Sequence, residues 1–186
     1  MYRAFTVFAI LALCLTATLA SRCKVNNDLA EIQTLDSNFW AALDAATINA
    51  GILGWSNQTI FDNFKNNVLL PHVTADFKIT LPEGAGTRTI QGIDDFAQFA
   101  VDAYARGLRA EFHVSGSLST SCIDKDRYLV EKFDVELAKT IASASTIYGR
   151  KKQVFLSTAS GLRIESLNLT VHGVVPLAAA IVLPVL

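Results

Sequence analysis

Few side chains of this 186-residue sequence could do acid–base chemistry in an apolar setting, and they are widely spaced. The three histidines, His72, His113 and His172, do not have the spacing of a zinc site. Glu131 interrupts the apolar register of the segment Arg127–Lys139, and a buried carboxylate there would need a cationic partner. Glu131 is therefore either a pocket acid or a side chain that pairs with a base or faces water. We expect no metal and no other cofactor.

Motifs for several other kinds of chemistry are absent from the sequence. There is no glycine-rich phosphate loop, no Gly-x-Ser-x-Gly turn and no His-Glu-x-x-His helix. The formal net charge is −1, and the acidic and basic residues are interspersed, so no basic surface for nucleic acid is expected. Nucleotide-dependent enzymes, serine hydrolases, zinc proteases and nucleic-acid partners have no support.

The first 20 residues have the composition of a secretory signal peptide. An early arginine precedes the apolar run Phe5–Leu15, and Thr18 and Ala20 stand three residues and one residue before a cut at Ser21. The run is short for a bilayer span, which needs about 20 residues. We predict that residues 1–20 are removed and that the mature chain is secreted; an uncleaved membrane anchor is the alternative.

Secretion would permit two covalent modifications, a disulfide bond and N-glycosylation. Two cysteines remain after cleavage, and in an oxidising compartment this predicts a Cys23–Cys122 disulfide, with two free thiols as the alternative. Glycosylation sequons occur at Asn57 and Asn168. Asn57 lies in a loop-like stretch and is the better acceptor, whereas Asn168 falls inside a predicted strand and needs an outward-facing side chain.

The segment Leu70–Tyr104 is the part of the chain around which the other elements are arranged. Alternation over residues 73–81 predicts a strand, residues 82–86 supply a turn, and residues 87–90 return as a second strand. Asp94 then opens a helix with one apolar face. This strand–turn–strand–helix unit would form one wall of a pocket.

The remaining elements follow from the same periodicities. The predicted helices are Asn27–Ala50 and Thr59–Asn66, and the predicted strands are Arg109–Leu118, Arg127–Lys139, Tyr148–Ser157 and Leu162–Val171. Ser119–Asp126 is expected to be a polar turn. In the strand Tyr148–Ser157, the pattern assigns Lys151 and Gln153 to a polar face and Val154 to an apolar face. The order of elements predicts an α+β fold, a curved antiparallel sheet packed on three helices.

Residues 173–186 form an apolar C-terminal tail without charge, which follows a domain of residues 21–172. The tail could pack over the sheet or the mouth of a pocket, or it could extend a dimer contact. A third reading is a glycolipid-anchor signal, which would place the protein at the cell surface. A membrane partner is expected only in that third case.

Four passages resemble the nuclear transport factor 2-like superfamily and, within it, the SnoaL-like group. They are FWAALDAA (Phe39–Ala46), HVTADFKITLPEGAGTRTIQGIDDFAQF (His72–Phe99), FHVSG (Phe112–Gly116) and SGLRIESLNLTV (Ser160–Val171). The order of the four passages carries the resemblance, since each motif alone is weak. The resemblance implies a cone-shaped sheet, closed by helices, with an apolar cavity at its wide end.

The resemblance also implies site residues and functions. His113 matches a pocket histidine that could act as general acid or base, and Asp44 matches the first-helix carboxylate of scytalone dehydratase-like enzymes. The expected pocket residues are Trp40, Phe77, Phe99, Tyr104 and Glu131. The leading hypothesis is a secreted domain that binds a small, mostly apolar molecule in the cone. The alternatives are a cofactor-free isomerase, dehydratase or cyclase that uses His113 and Asp44, and a non-catalytic module that forms homodimers through its sheet face.

Overall fold

The computed structural model describes the backbone over residues 25–83, 86–106, 110–111, 118–140 and 145–176. It describes side-chain environments over residues 28–83, 86–106, 119–132 and 148–173. The predicted signal peptide, Cys23, His113 and the tail beyond residue 176 lie outside these residues. What the sequence predicts for them therefore stays a prediction.

The described residues contain three α-helices, at the places where the sequence predicts them. They are α1 (Val25–Leu53), α2 (Asn57–Asn63) and α3 (Ile93–Ala105), and α2 continues into a π-helical segment, Phe64–Leu69. α1 ends before Gly54, whose φ of 60° is a left-handed conformation that favours glycine. Ser56 caps α2, because its hydroxyl accepts a hydrogen bond from the backbone N–H of Thr59. No helix in this part of the chain is long and apolar enough to cross a membrane.

The described strands form one curved, unclosed sheet against the helices, so the predicted α+β fold is confirmed. The strands are β1 (Val73–Glu83), β2 (Gly86–Gln91), β3 (Ala110–Glu111), β4 (Leu118–Cys122), β5 (Arg127–Thr140), β6 (Ser145–Thr158) and β7 (Gly161–Pro176). Their order is β2-β1-β7-β6-β5-β3, and β4 also pairs with β5. The β1–β7 pair is parallel and the other pairs are antiparallel. This refines the prediction of an antiparallel sheet.

One predicted turn is partly a strand. Ser119–Cys122 belongs to β4, in which Thr120 pairs with Val130 of β5. The serine- and threonine-rich composition of this segment suggested a polar turn, but such residues are also accepted at the margin of a sheet, where one face meets water. The turn that the structure does contain is shorter and covers residues 123–126.

Side chains of β5 and β6 divide into two faces. The inner face packs against α1 and carries, in paired rows, Tyr128 with Phe155, Val130 with Gln153, and Lys132 with Lys151. The outer face carries Glu131, Arg150, Lys152 and Val154. The apolar core lies between the inner face and the buried stripe of α1, which includes Ile32, Phe39, Leu43 and Ala46.

Candidate functional site

A carboxylate lies at the centre of a buried charge cluster between α1 and the sheet. Asp36 of α1 is 4% exposed. Its Oδ1 lies 2.5 Å from Nζ of Lys151, and its Oδ2 lies 3.1 Å from Nζ of Lys132. The two lysines stand opposite each other in the β5–β6 register, which brings both ammonium groups to one carboxylate. We call Asp36, Lys132 and Lys151 the inner charge cluster.

Trp40 completes the contacts of this carboxylate. It follows Asp36 by one helical turn and therefore lies on the same face of α1. Its indole N–H donates a hydrogen bond to Asp36 Oδ1 at 2.9 Å. The Lys151 Nζ lies 5.1 Å from the centre of the Trp40 ring, within the range of a cation–π contact. The prediction placed Trp40 at a pocket wall, and the structure places it beside the charges.

Burial and neighbouring charges set the protonation of the cluster. Burial lowers the pKa of Lys151 to about 8, although the attraction of Asp36 opposes this change, and the positive charge of Lys132 lowers it further. Burial alone would raise the pKa of Asp36, but Lys151 and Lys132 outweigh burial and hold it below its ordinary value. At neutral pH Lys151 is therefore mostly an ammonium group and Asp36 is a carboxylate.

Unpaired polar atoms lie next to the inner charge cluster. Gln153 is fully buried, and neither of its amide atoms has a hydrogen-bond partner in the described part of the chain. It follows Lys151 by two residues, so both side chains stand on the inner face. Thr120, Val130 and Gln153 form one row across β4, β5 and β6, and the buried hydroxyl of Thr120 also has no partner there. The inner face thus carries buried polar atoms that lack partners among the described residues.

A second polar contact joins α1 to the inner face and is complete. The Tyr128 hydroxyl donates a hydrogen bond to Asp28 Oδ2. This hydrogen bond, with burial and the charge of Asp28, raises the pKa of Tyr128 to about 12. The phenol therefore stays protonated at neutral pH, and we assign it a structural role.

The structure places one member of the predicted catalytic pair. Asp44 lies on α1, one helical turn after Trp40, and is half-buried. His113 lies outside the described residues, so the pairing of His113 with Asp44 stays a prediction. Asp36 was not among the predicted site residues, although this carboxylate falls in the apolar stripe of α1 and needs a cationic partner there.

The predicted aromatic pocket residues other than Trp40 belong to α3 and β1. Phe77 is fully buried and makes an edge contact with Phe96, at 6.2 Å between ring centres. Phe99 is half-buried, with its ring 6.1 Å from that of Phe96 and 5.3 Å from the guanidinium of Arg88. Tyr104 is half-buried in the last turn of α3. The rings of Phe77, Phe96 and Phe99 pack together between α3 and the strand pair β1–β2.

Glu131 does not lie on the inner face, which corrects its assignment to the pocket. It lies on the outer face, 3.1 Å from Arg150 and 2.8 Å from Lys152. The hydrogen bond from Lys152, with the two positive charges, lowers the pKa of Glu131. The strand pairing explains the error, because the β5–β6 register shifts between Lys132 and Val135 and such a bulge changes which residues share a face.

The two faces of β6 are also the reverse of the sequence assignment. The sequence pattern gives Lys151 and Gln153 a polar face and Val154 an apolar face, but Lys151 and Gln153 are fully buried, while Val154 is half-buried on the outer face. Phe155 could have indicated which face of β6 is buried. It shares a face with Gln153, and its large ring is best placed in the core.

The predicted modification sites are placed in part. Asn57 is exposed at the start of α2, and Asn168 is exposed on β7, so neither side chain is buried. Cys122 ends β4, while Cys23 lies outside the described residues. Glycosylation and the disulfide therefore stay predictions. In the part of the chain that the structure describes, no three His, Cys, Asp or Glu side chains group around a metal-sized space.

Comparison with known proteins identifies the fold. No protein-family model and no curated protein matches the chain. Three solved structures illustrate the likeness. The Kfla4162 protein of Kribbella flavida is 18% identical, with a TM-score of 0.58, over 81% of this chain and 95% of its own. A LinA type 2 hexachlorocyclohexane dehydrochlorinase is 12% identical, with a TM-score of 0.55, over 83% and 94%.

A provisional scytalone dehydratase of Novosphingobium aromaticivorans is 10% identical, with a TM-score of 0.56, over 84% of this chain and 93% of its own. These likenesses, taken with the sheet and helices described above, show that the chain has the nuclear transport factor 2-like fold. The resemblance found in the sequence is thus confirmed for the fold. At such low identity the likeness carries no residue roles from those proteins to this one.

Proposed function

We propose that this domain binds a small, mostly apolar molecule against the inner face of the sheet, between α1 and strands β4–β6. The observation that carries the proposal is the fully buried Gln153, whose two amide atoms are unpaired beside the inner charge cluster. Buried polar atoms in folded proteins are nearly always paired, so an unpaired amide in an apolar interior needs a reason. A bound molecule would supply the missing partners.

The surroundings of Gln153 fit this reason. Val130 and Leu167 flank it in the neighbouring strands, and both are almost completely buried. A few polar groups that converge inside an apolar interior are the pattern of a small-molecule site. Each buried donor or acceptor left unsatisfied costs about 1–3 kcal/mol in the free protein, and a ligand that pairs with it would recover that energy.

A thermal-unfolding screen of small apolar compounds tests the proposal on the mature chain that begins at Ser21. A ligand at about 100 times its Kd adds about 2.7 kcal/mol to the free energy of unfolding. For a domain of this size we expect Tm to rise by roughly 5–10 °C. Gln153→Leu should reduce this rise, while Lys152→Leu on the outer face should leave it unchanged.

Two results would remove the binding proposal. One is a broad compound panel in which no member raises Tm. The other is a ligand whose effect is equal in the wild-type chain, the Gln153→Leu variant and the Lys152→Leu variant, because that ligand would bind away from the inner face.

A second candidate function is catalytic: a cofactor-free dehydratase, isomerase or cyclase with His113 and Asp44 as its acid–base pair. Asp36, Trp40 and Asp44 follow one another at intervals of one helical turn on α1, which places Asp44 beside the same interior. Proteins named for dehydrochlorination and dehydration share the fold. Small cyclic substrates with a chloride or hydroxyl leaving group are the compounds to screen. Full turnover by His113→Ala would remove this candidate.

A module that dimerises through its sheet face has less support. The described outer face of β5 and β6 carries the ion pairs of Glu131 with Arg150 and Lys152 beside half-buried apolar side chains such as Leu129 and Val154. Isologous dimer interfaces of stable complexes are usually more apolar than this. Sedimentation of the mature chain distinguishes the cases, and a dimer that Glu131→Arg dissociates would restore the dimer hypothesis.

Secretion is part of the proposal for the whole protein. The apolar N-terminal segment, the sequons at exposed Asn57 and Asn168 and the paired number of cysteines after cleavage support it. Expression in a secreting eukaryotic host, followed by mass spectrometry of the medium, provides the test. We expect a chain that starts at Ser21, and retention of Met1 in a membrane fraction would contradict secretion.

A further inference from the structure

We propose that the molecule bound at the inner face is an apolar organic acid, and that Lys132, Lys151 and Gln153 hold its anionic group. The inference rests on the proposed binding function and names the class of ligand. It stands on one juxtaposition: two lysines that share a single carboxylate, next to a buried amide whose atoms are unpaired.

The inner charge cluster has more positive than negative charge. Lys132 and Lys151 bring two positive charges to one negative charge on Asp36. An uncompensated charge in a protein interior is unfavourable, and one further anion would neutralise the cluster. A neutral ligand would leave the surplus positive charge buried.

The polar side chains beside the inner charge cluster have more hydrogen-bond donors than acceptors. An ammonium group has three N–H donors and no acceptor, and an amide nitrogen has two donors. Asp36 is the acceptor that the described residues provide for both ammonium groups, and the Gln153 amide nitrogen has no acceptor among them. Such a donor-rich site matches a group that only accepts, such as a carboxylate, and hydrogen bonds between charged partners are the stronger ones.

The spacing and the exposure of the side chains on the inner face fit a small anionic group. Lys151 and Gln153 stand two residues apart on one face, which separates their backbones by roughly 6–7 Å. A carboxylate between them can turn one oxygen to each side chain. The Lys132 side chain is 17% exposed and that of Lys151 is fully buried, so the anion would enter past Lys132 and end at Lys151.

The remainder of the ligand is set by the apolar surroundings. Trp40, Val130, Phe155 and Leu167 are buried around the polar groups, so the body of the acid is aliphatic or aromatic rather than sugar-like. Gln153 Oε1 is a single unpaired acceptor, and one hydroxyl or N–H group next to the acid would satisfy it.

A matched pair of fluorescent probes tests this inference on the full mature chain. Anilinonaphthalene sulfonate carries an anionic group, and phenylnaphthylamine has the same ring skeleton without it. We expect the anionic probe to bind at least tenfold more tightly, and decanoate to displace it at least tenfold better than decanol. Phosphate at the same concentration should not displace it, because it lacks an apolar body.

Three variants connect the binding to the site. Lys151→Met and Lys132→Met should each weaken binding of the anionic probe at least tenfold. Each should change the Kd of the neutral probe less than twofold. Lys152→Met removes the same charge from the outer face of β6 and should change neither probe. If Lys151→Met does not fold, the partly exposed Lys132 still carries the test.

The outcomes separate this inference from the proposed function. The organic acid would be overturned if both probes bound equally well to the wild-type chain and to the three lysine variants, while Gln153→Leu weakened both probes. In that case the ligand of the inner face would be neutral. Failure of both probes and of both displacers to bind would contradict the proposed function as well. Displacement by phosphate as effective as that by decanoate would mean a plain anion site and would overturn the inference.

Discussion

On each face of β5 and β6 one carboxylate lies between two cations, but the two clusters lie in different environments. On the inner face, Asp36 of α1 lies between Lys132 and Lys151, and all three side chains are buried or nearly so. On the outer face, Glu131 is 19% exposed and lies between Arg150 and Lys152, whose side chains are 33% and 45% exposed. Each of these two clusters thus has one carboxylate and two cations.

The difference between the two faces teaches what burial does to a charge cluster. Water reaches the two outer cations and screens their ion pairs with Glu131, so a partner can be lost there at a smaller cost. The inner charges have lost their water, so each one depends on the others and the pKa of Lys151 falls to about 8. The outer cluster is therefore a surface feature, and the inner cluster is the part of the molecule where chemistry or recognition is expected.

The largest expected effect is the loss of the inner carboxylate. Asp36→Asn would leave two ammonium groups in the interior without an anion and should lower the free energy of unfolding by about 3 kcal/mol or more. The matched outer variant, Glu131→Gln, should change stability far less. Urea unfolding followed by circular dichroism measures both. Equal effects of the two substitutions would show that the faces do not differ as described.

The pH dependence of stability is the next effect in size, and it comes from Lys151. The pKa of this amine is about 8 in the folded chain against an ordinary value of 10.5. Between these values the unfolded chain binds more protons than the folded chain, so stability rises with pH. At about 1.4 kcal/mol per pH unit, the rise approaches about 3 kcal/mol between pH 8 and pH 10.5.

The experiment compares the wild-type chain with Lys151→Met over this pH range. Among the described residues, the charged groups that face Lys151 are Asp36 from α1 and Lys132 from β5, and the variant keeps both. The rise should disappear in Lys151→Met and persist in Lys152→Met, whose substitution is on the outer face. A profile that is the same in all three proteins would contradict the assignment to Lys151.

Most of the fold was predictable, because it depends on patterns that are local in sequence. The apolar stripe of α1, the alternation of β1 and the order of helices and strands each carry a signal of their own, and the structure contains them at the predicted places. The parallel β1–β7 pair was not predictable from them, because the two strands are far apart along the chain and no local pattern fixes their direction.

The inner charge cluster could not be read from the sequence in the same way, because it depends on strand register. A shift of one residue moves every side chain to the other face, and the irregular pairing after Lys132 misled the assignment of Glu131. In β6, the polar run Lys151, Lys152 and Gln153 gives no alternation from which to choose a face. Asp36 was accessible to sequence reasoning, since a carboxylate in a buried helical stripe requires a cation.

A smaller effect, and one of opposite sign, is expected at Gln153. Gln153→Leu removes two unpaired polar atoms from the interior and should raise the free energy of unfolding of the ligand-free chain by about 1–2 kcal/mol. The same variant should weaken ligand binding. Thermal and urea unfolding without ligand provide the measurement, and Lys152→Leu is the outer-face control. A loss of stability in Gln153→Leu would mean that the amide is paired and serves the fold.

The smallest expected effect sets the reference for an inner-face contact that is complete. Tyr128→Phe removes the hydrogen bond to Asp28 and should lower the free energy of unfolding by about 1 kcal/mol. The pKa of Tyr128 is about 12 in the folded chain against an ordinary value of 10.0, so the unfolded chain loses this proton first and the phenol lowers stability as the pH approaches 10.5. The rise in stability assigned to Lys151 should therefore persist in Tyr128→Phe and become slightly larger near pH 10.5. Ligand binding should be unchanged, since the tyrosine already has its partner. A Tyr128→Phe variant that loses ligand binding would place this end of the inner face within the binding site. Polar groups that already have a partner in the free protein would then also contribute to binding.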